Sequence, residues 1–294
     1  MGHKMRNLVL LIVGILCAAC LVCCLPRIKR VYTYAKLLDN DGKFVLSKTP
    51  SVLQLETNIE GRAVRIANIS VAVSDLKSAR IFIQDDADSR NSGFFLLLDD
   101  FGIMVREPIR FDSEPMIQSL SGSQVLFSPE FWAREMNYSW FRKALFTTPC
   151  SWSKIFFMQS KSFDKHFRLI SSKYLLCWSA DSICVIEGKN LKCVLAEHYA
   201  SSNGLFAPPI FRYDGYQYNG ALFSPDDTWI HTVTLCLYDS SLENKQAREE
   251  VTKIISGLKF IKGITPSTYN WKEQTAKDVA ELKAKLELTE THRQ

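Results

Sequence analysis

The chain has 294 residues, of which 47% are hydrophobic and 23% charged, a composition typical of a folded protein and not of a disordered one. Its net charge of +5 equals the excess in the first thirty residues, which contain five lysines and arginines and no acid. The remaining chain is formally neutral, which argues against the strongly basic face that nucleic-acid binding requires.

An uncharged stretch of eighteen residues, Leu8 to Leu25, dominates the N-terminal region and has basic residues at both ends. At 1.5 Å per residue it forms a helix of about 27 Å, enough to cross the hydrocarbon core of a bilayer. We therefore expect residues 1–30 to be a single-span membrane anchor. Two alternatives stay open, namely a signal peptide cleaved near Cys17-Ala18-Ala19 and a buried helix. Because N-terminal signal anchors usually act in export, we expect the body to lie outside the cytoplasm.

The same stretch resembles a bacterial lipoprotein signal, in which a small residue precedes a cysteine that is lipidated and becomes the new N-terminus. One register places Cys20 after Cys17-Ala18-Ala19, and a second places Cys24 after Leu21-Val22-Cys23. The first has a cysteine where the pattern has leucine, and the second has one where the pattern has glycine or alanine. The resemblance implies lipidation of Cys20 or Cys24 as a further alternative.

Residues 31–127 are expected to form a β-rich region. Turn-forming residues at 39–42 lie between two short runs, Val31 to Leu38 and Lys43 to Ser47, and predict a hairpin next to the membrane. Four more strands are predicted from alternating or short apolar runs, at Ile69 to Ser74, Ala79 to Gln84, Phe94 to Leu98 and Phe101 to Val105. Their connections are too short for crossover helices, so we expect antiparallel pairing.

Residues 128–262 are expected to form an α+β domain with helices first, then a second sheet and a closing helix. Ser128-Pro129 and Thr148-Pro149 predict helix starts, and the spacing of Phe163, Phe167 and Ile170 predicts an amphipathic helix. Strands of the second sheet are predicted at Tyr174 to Trp178, Ser182 to Ile186, Leu191 to Leu195 and Trp229 to Tyr238. The closing helix is predicted to run from Ala247 to Gly257.

Residues 263–294 form a tail with a helical pattern from Trp271 to Thr289. Apolar residues repeat along one seam over two heptads, which is too short to predict a coiled coil. We expect a solvent-exposed helix after the domain. The fold class predicted for the whole chain is α+β with an N-terminal membrane helix.

The second half resembles uncharacterised bacterial membrane-anchored proteins. The features that carry the resemblance are an aromatic helix ending at Thr148-Pro149, a helix with Phe163 and Phe167, and a closing helix followed by Gly257-Leu258-Lys259-Phe260. The ending is also similar to domains of the PsbP and Mog1 kind, which act as binding or accessory modules. The second resemblance implies a binding or accessory role, and neither resemblance gives a functional residue.

Cys184 and Cys193 are predicted to face each other across a hairpin. A two-residue turn at Gly188-Lys189 pairs Ile186 with Leu191 and places the two cysteines in a non-hydrogen-bonded pair. Their Cα separation of about 4.5 Å is at the short end of the range that a disulfide accepts. A structural disulfide is therefore expected if the body lies outside the cytoplasm, and two buried thiols if it lies inside.

Catalytic and metal sites have weak candidates. Cys193, Glu197, His198, His231 and Cys236 do not have the spacing of a zinc site, and His231 alternates with apolar residues as a core histidine does. Neither G-x-S-x-G nor a glycine-rich phosphate loop is present. We expect no cofactor, and the pairing of Cys150 or Cys177 with His198 or His231 in a hydrolase stays an alternative.

Tyr213, Tyr216 and Tyr218 lie in a glycine-containing segment that is typical of either a partner surface or a packed turn. The leading hypothesis is a non-catalytic, membrane-tethered binding or accessory protein of the cell envelope with a protein partner. Two alternatives are a membrane-anchored hydrolase with a cysteine or serine nucleophile and a protein that neutralises a toxin.

Overall fold

A computed structural model describes most of the chain and shows a mixed α+β fold. The described residues are 22, 24–38, 42–55, 62–73, 79–84, 93–108, 137–177, 180–199, 215–239, 241–264 and 269–291. Seven helices are present among them: α1 (24–38), α2 (Gly42–Ser47), α3 (Tyr138–Leu145), α4 (Trp152–Phe157), α5 (Ser160–Cys177), α6 (Asn244–Ser256) and α7 (Trp271–Thr291).

The described strands form two sheets. In chain order the strands are β1 (Ser51–Gln54), β2 (Arg62–Ile66), β3 (Ile69–Val73), β4 (Arg80–Gln84), β5 (Gly93–Leu97), β6 (Phe101–Pro108), β7 (Ser182–Glu187), β8 (Lys192–Tyr199), β9 (Tyr216–Phe223), β10 (Ile230–Leu237) and β11 (Leu258–Phe260). The large sheet has the order β1-β7-β8-β9-β10-β6-β5-β4, and the small sheet has the order β11-β3-β2. All pairings are antiparallel except that of β1 with β7.

The large sheet joins the two predicted regions, 31–127 and 128–262. Strand β6 of the first region pairs with β10 of the second over six residue pairs. The prediction of a separate second sheet is therefore wrong. The prediction failed because β6 and β10 pair over a long sequence separation, and the apolar pattern of one strand does not indicate which strand it pairs with.

Each face of the large sheet has its own core. One face packs against α6, α7 and the small sheet, with Phe94, Leu235 and Val251 among its buried side chains. The other face packs against α3 and α5, where Val185 and Phe223 are buried. A third apolar cluster lies beyond α5 and joins α1, α2 and α4 to it. The helices α1 to α5 therefore cover one side of the sheet, and α6 and α7 lie on the opposite side.

The predicted hairpin next to the membrane is wrong, since residues 24–38 and Gly42–Ser47 are helical. Val31, Tyr34 and Leu38 all contact the third apolar cluster. Their spacing of three and four residues is that of one helix face, and burial of that face explains the helix.

Most of the predicted membrane span, Leu8 to Leu25, lies outside the described residues. Within the described part of the chain, no helix has the length and apolar character needed to cross a membrane.

The hairpin of β7 and β8 has a different register from the predicted one. Cys184 pairs with Leu195, and Cys193 pairs with Ile186, because the connection contains four residues instead of two. The shift of two residues keeps both cysteines on the predicted core face. Both thiols are free and buried in the structure. In this register the two cysteines are diagonal neighbours and not a facing pair, so the facing geometry on which the disulfide expected outside the cytoplasm depended is not present.

Helix α7 packs on the body instead of standing in solvent. Asn68 in the β2–β3 turn accepts a hydrogen bond from Trp271 Nε1 (3.0 Å) and contacts His231 Nε2 at 3.0 Å through its amide nitrogen. His231 Nδ1 lies 2.8 Å from the carbonyl oxygen of Arg106, to which it donates. His231 Nε2 is then the acceptor in the contact with Asn68. This buried network joins β6, β10, the small sheet and α7, which corrects the expectation of a solvent-exposed tail.

Candidate membrane-facing surface

The helices α1 to α5 are strongly basic, and we call them the helical layer (residues 24–48 and 137–177). These two ranges contain thirteen lysines and arginines and three aspartates, whereas the rest of the chain has twenty-three cations and twenty-eight acids. Nine of the cations are exposed: Arg27, Lys29, Lys36, Lys43, Arg142, Lys143, Lys154, Lys161 and Lys165. The body is therefore neutral overall because the positive charge of the helical layer offsets the negative charge of the remaining chain.

The helical layer also carries most of the exposed apolar side chains of the described residues. Seven of the eleven belong to it: Leu25, Ile28, Tyr32, Phe44, Phe146, Trp152 and Phe157. Leu25, Ile28 and Tyr32 follow one another at three- and four-residue steps, so they form an outward stripe along α1. Phe157 is 72% exposed and Trp152 is 47% exposed. Basic residues beside exposed aromatic and aliphatic side chains are typical of a surface that lies on a membrane.

Side-chain contacts hold α1 against α4 and α5. Arg30 donates to the carbonyl oxygen of Met158 at 2.5 Å and also to the Ser160 hydroxyl. The Tyr34 ring packs edge-on against Trp152, with 5.9 Å between ring centroids. Because Tyr34 is fully buried, α1 is fixed with its apolar stripe turned outward.

The helical layer is also tied to the large sheet. Tyr138 and Arg142 of α3 both donate to Glu187 at the end of β7, the latter over 2.8 Å. These hydrogen bonds lower the pKa of Glu187. An ion pair between Arg142 and Glu187 therefore connects α3 to the large sheet.

A thiol, an imidazole and a phenol meet inside the helical layer. Cys150 Sγ lies 4.0 Å from His166 Nδ1, and Tyr34 Oη lies 3.3 Å from His166 Nε2. Burial, and then the nearby Lys154 charge, lower the pKa of His166. Cys150 was a sequence candidate, whereas His166 was missed because it lies within the helical pattern of α5.

On the opposite side of the sheet, a cleft of about 740 Å³ lies between α6 and the edge strand β1. Arg248 lines the cleft, and its Nε donates to Glu197 Oε2 at 3.2 Å. The Glu197 side chain is 1% exposed and also accepts hydrogen bonds from Ser182 and, at 3.4 Å, from Tyr218. The cleft therefore has a buried ion pair beside it, fixed by two hydroxyl groups.

The predicted partner surface around Tyr213, Tyr216 and Tyr218 needs correction. Tyr216 is 8% exposed and Tyr218 is fully buried, because both lie on the core face of β9. The Tyr216 hydroxyl donates to Leu242 O at 2.7 Å. Tyr213 lies outside the described residues.

The other candidates are separated from one another. His231 is buried in the α7 network, and burial lowers its pKa to about 4. Cys177 is buried at the end of α5, where burial raises its pKa to about 12. Of the lipidation candidates, Cys24 is half-buried on α1, and Cys20 lies outside the described residues. Within the described ranges, no group of three or more metal-ligating side chains could hold a metal ion.

Comparisons of the chain with protein-family models, with curated proteins and with solved structures find no match. The functional argument therefore starts from the charge, exposure and geometry of the chain's own residues.

Proposed function

We propose that the protein is a single-pass, membrane-tethered binding protein whose helical layer lies on the membrane surface. The observation that carries the proposal is the coincidence of exposed apolar and basic side chains on a layer whose first helix, α1, begins at the end of the predicted span. Each lysine or arginine near an anionic surface contributes about 1 kcal/mol. Nucleic acid would also attract the cations, but contacts with phosphates give no role to the aliphatic stripe of α1.

Pro26 supports this geometry. It lies at the boundary between the predicted span and α1, within the helical residues 24–38. Proline has no N–H group and interrupts the hydrogen bonds of the preceding turn, so helices commonly bend at this residue. A bend here lets α1 turn along the surface, so that Ile28 and Tyr32 meet the lipid headgroups.

The side away from the helical layer is the side proposed to meet a protein partner. Helix α6 and the cleft beside β1 lie there, with Lys245, Arg248 and Glu249 among the residues that line the cleft. Ten of the eleven residues that line the cleft are polar or charged, so we expect the partner segment that binds there to be polar as well. The resemblance to accessory modules agrees with this role.

The side of the membrane on which the body lies stays a prediction, and we propose the side outside the cytoplasm. A membrane-impermeant maleimide applied to intact cells tests it with a cysteine-free variant that carries Lys262→Cys, an exposed position outside the helical layer. Labelling without lysis supports an outside location. Labelling that needs lysis contradicts it.

A hydrolase and a toxin-neutralising protein are the alternatives. For the hydrolase, the structure offers the pair Cys150 and His166, 4.0 Å apart. Repeated turnover of an ester or thioester would favour the hydrolase over a binding protein. For a toxin-neutralising protein, the cleft beside β1 would hold the toxin.

The surface proposal is tested with the full chain in lipid nanodiscs, using energy transfer from tryptophan to a dansyl lipid. With anionic lipid, transfer is expected to be high and to fall in 0.5 M salt, since salt of roughly that strength screens charges beyond a few ångströms. The triple variant Lys154→Glu, Lys161→Glu, Lys165→Glu is expected to lose this dependence on lipid charge, at about 1 kcal/mol per residue.

The matched control changes three exposed lysines outside the helical layer, Lys262→Glu, Lys272→Glu and Lys277→Glu. This control is expected to behave as the wild type does. Equal transfer in neutral and anionic lipid for the wild type would contradict the proposal.

A further inference from the structure

The cluster of Cys150, His166 and Tyr34 has no part in the proposed function. Its residues come from the connection before α4, from α5 and from α1, so the fold brings them together from distant positions. The backbone N–H of Cys150 donates to Tyr34 Oη over 2.7 Å. Tyr34 Oη in turn lies 3.3 Å from His166 Nε2, and His166 Nδ1 lies 4.0 Å from Cys150 Sγ. A thiol next to a held imidazole is the arrangement of an activated nucleophile.

We propose that Cys150 is a nucleophilic thiol that accepts an acyl group from a long-chain acyl thioester, with His166 as its general base. Cys150 packs against an apolar cluster that includes Ile155 and Phe163. The side chains of that cluster are buried, whereas Trp152, two residues further along the chain, is exposed and packs edge-on against Tyr34. An acyl chain bound to Cys150 therefore has the exposed ring of Trp152 beside it. The inference rests on the proposed function only for the supply of acyl chains near a membrane.

The proton has a defined route. With its proton on Nε2, His166 donates to Tyr34 Oη, and the lone pair of Nδ1 faces Cys150 Sγ. As Sγ attacks the carbonyl carbon, Nδ1 takes the thiol proton. The bond between that carbon and the donor sulfur then breaks, and His166 returns the proton to the leaving thiolate. One thioester replaces another, so the step needs no oxidant or reductant.

The other body thiols lack this setting. Cys177, Cys184, Cys193 and Cys236 are buried, and burial raises the pKa of each thiol, to about 12, 11 and 12 for Cys177, Cys184 and Cys236. A thiol that stays protonated is a poor nucleophile. Cys150 is half-exposed instead. Its neighbour His166 has a pKa lowered by burial and by Lys154, so the imidazole is neutral and able to accept a proton near pH 7.

A bound acyl chain would add a second attachment to the membrane. The strength of this attachment increases with the length of the acyl chain, because each CH₂ group buried in the bilayer adds to it. The chain would enter the bilayer beside Trp152 and Phe157. The modification would therefore fix the helical layer on the surface that we propose for it.

The test uses octanoyl-coenzyme A with the full chain in non-ionic detergent, without a bilayer, followed by mass spectrometry. One acyl adduct on Cys150 is expected, removable by neutral hydroxylamine. Cys150→Ser is expected to abolish the adduct, and His166→Gln to slow its formation by about 100-fold. Cys24→Ser is the control, because Cys24 is the other partly exposed thiol of the described residues. It is expected to leave the rate unchanged.

The pH dependence of the wild-type rate is a second measurement, which does not require a variant to fold. Catalysis by neutral His166 predicts a rate that rises with a pKa below 6.5 and then levels off. Simple attack by a free thiolate predicts a rise that continues to about pH 8.5. That continued rise, an unchanged rate in His166→Gln, or no adduct on Cys150 would overturn the proposal. Release of coenzyme A far beyond one equivalent would also overturn it, in favour of hydrolysis. None of these outcomes bears on the surface proposal, since no bilayer is present.

Discussion

Replacing Arg248 by methionine is expected to lower the free energy of unfolding by about 3–5 kcal/mol. Arg248 is the cationic partner of Glu197, whose side chain is 1% exposed. Without Arg248, the donors that remain for this carboxylate among the described residues are the hydroxyl groups of Ser182 and Tyr218. A buried charge without a counter-ion carries most of its desolvation cost. Urea unfolding of the full chain in detergent, followed by tryptophan fluorescence, measures the loss.

Two further variants separate charge from packing. Lys245→Met is the control on the same helix, since Lys245 is 87% exposed and lies 3.8 Å from Glu249. We expect it to cost less than about 1 kcal/mol. The double variant Glu197→Gln, Arg248→Met is expected to recover most of the loss, because no unpaired charge remains. A cost below about 1 kcal/mol for Arg248→Met alone would mean that water compensates Glu197.

Stability is expected to fall by about 3 kcal/mol as the pH drops from 6.5 to 4, because of His231. His231 is fully buried, and its pKa is lowered from 6.5 to about 4 by burial, which outweighs the opposing hydrogen bond to Arg106 O. The unfolded chain binds a proton at His231 near pH 6.5, whereas the folded chain does not. The contribution is therefore fully present above pH 6.5 and is lost as the pH falls toward 4.

Comparison of the wild type with His231→Gln isolates this contribution from that of the carboxylates. Urea unfolding at a series of pH values is expected to give the variant a slope smaller by up to about 1.4 kcal/mol per pH unit in this range. His166 stays in both proteins, so its own lowered pKa cancels in the comparison. Parallel curves for the two proteins would show that His231 does not stay neutral in the fold.

The elements that the sequence predicts well are those whose pattern is local. Strands β3 to β6 and β10 lie at the predicted alternating runs, and α6 ends at the predicted Gly257. The predicted strand at Tyr174 to Trp178 is instead the end of α5, which is helical through Cys177. Its short apolar run fits either structure, and packing against α3 decides in favour of the helix.

Long-range features could not be read from the sequence. The pairing of β6 with β10 joins segments more than one hundred residues apart. Residues 24–48 and residues 137–177 are each basic in the sequence, but only the fold shows that the two segments form one layer. Likewise, nothing in the sequence places His166 next to Cys150, because that contact depends on how the connection before α4 packs against α5.

Photo-crosslinking to lipid is the most direct test of the surface that we propose. Phe157 is replaced by p-benzoylphenylalanine in the full chain in nanodiscs, and lipid adducts are detected by mass spectrometry after irradiation. Phe82 is the matched control position, because it is also exposed but lies in β4, at the far edge of the large sheet from β1 and outside the helical layer. The account predicts lipid adducts at position 157 and none at position 82. Equal crosslinking at the two positions, or none at position 157, would contradict it.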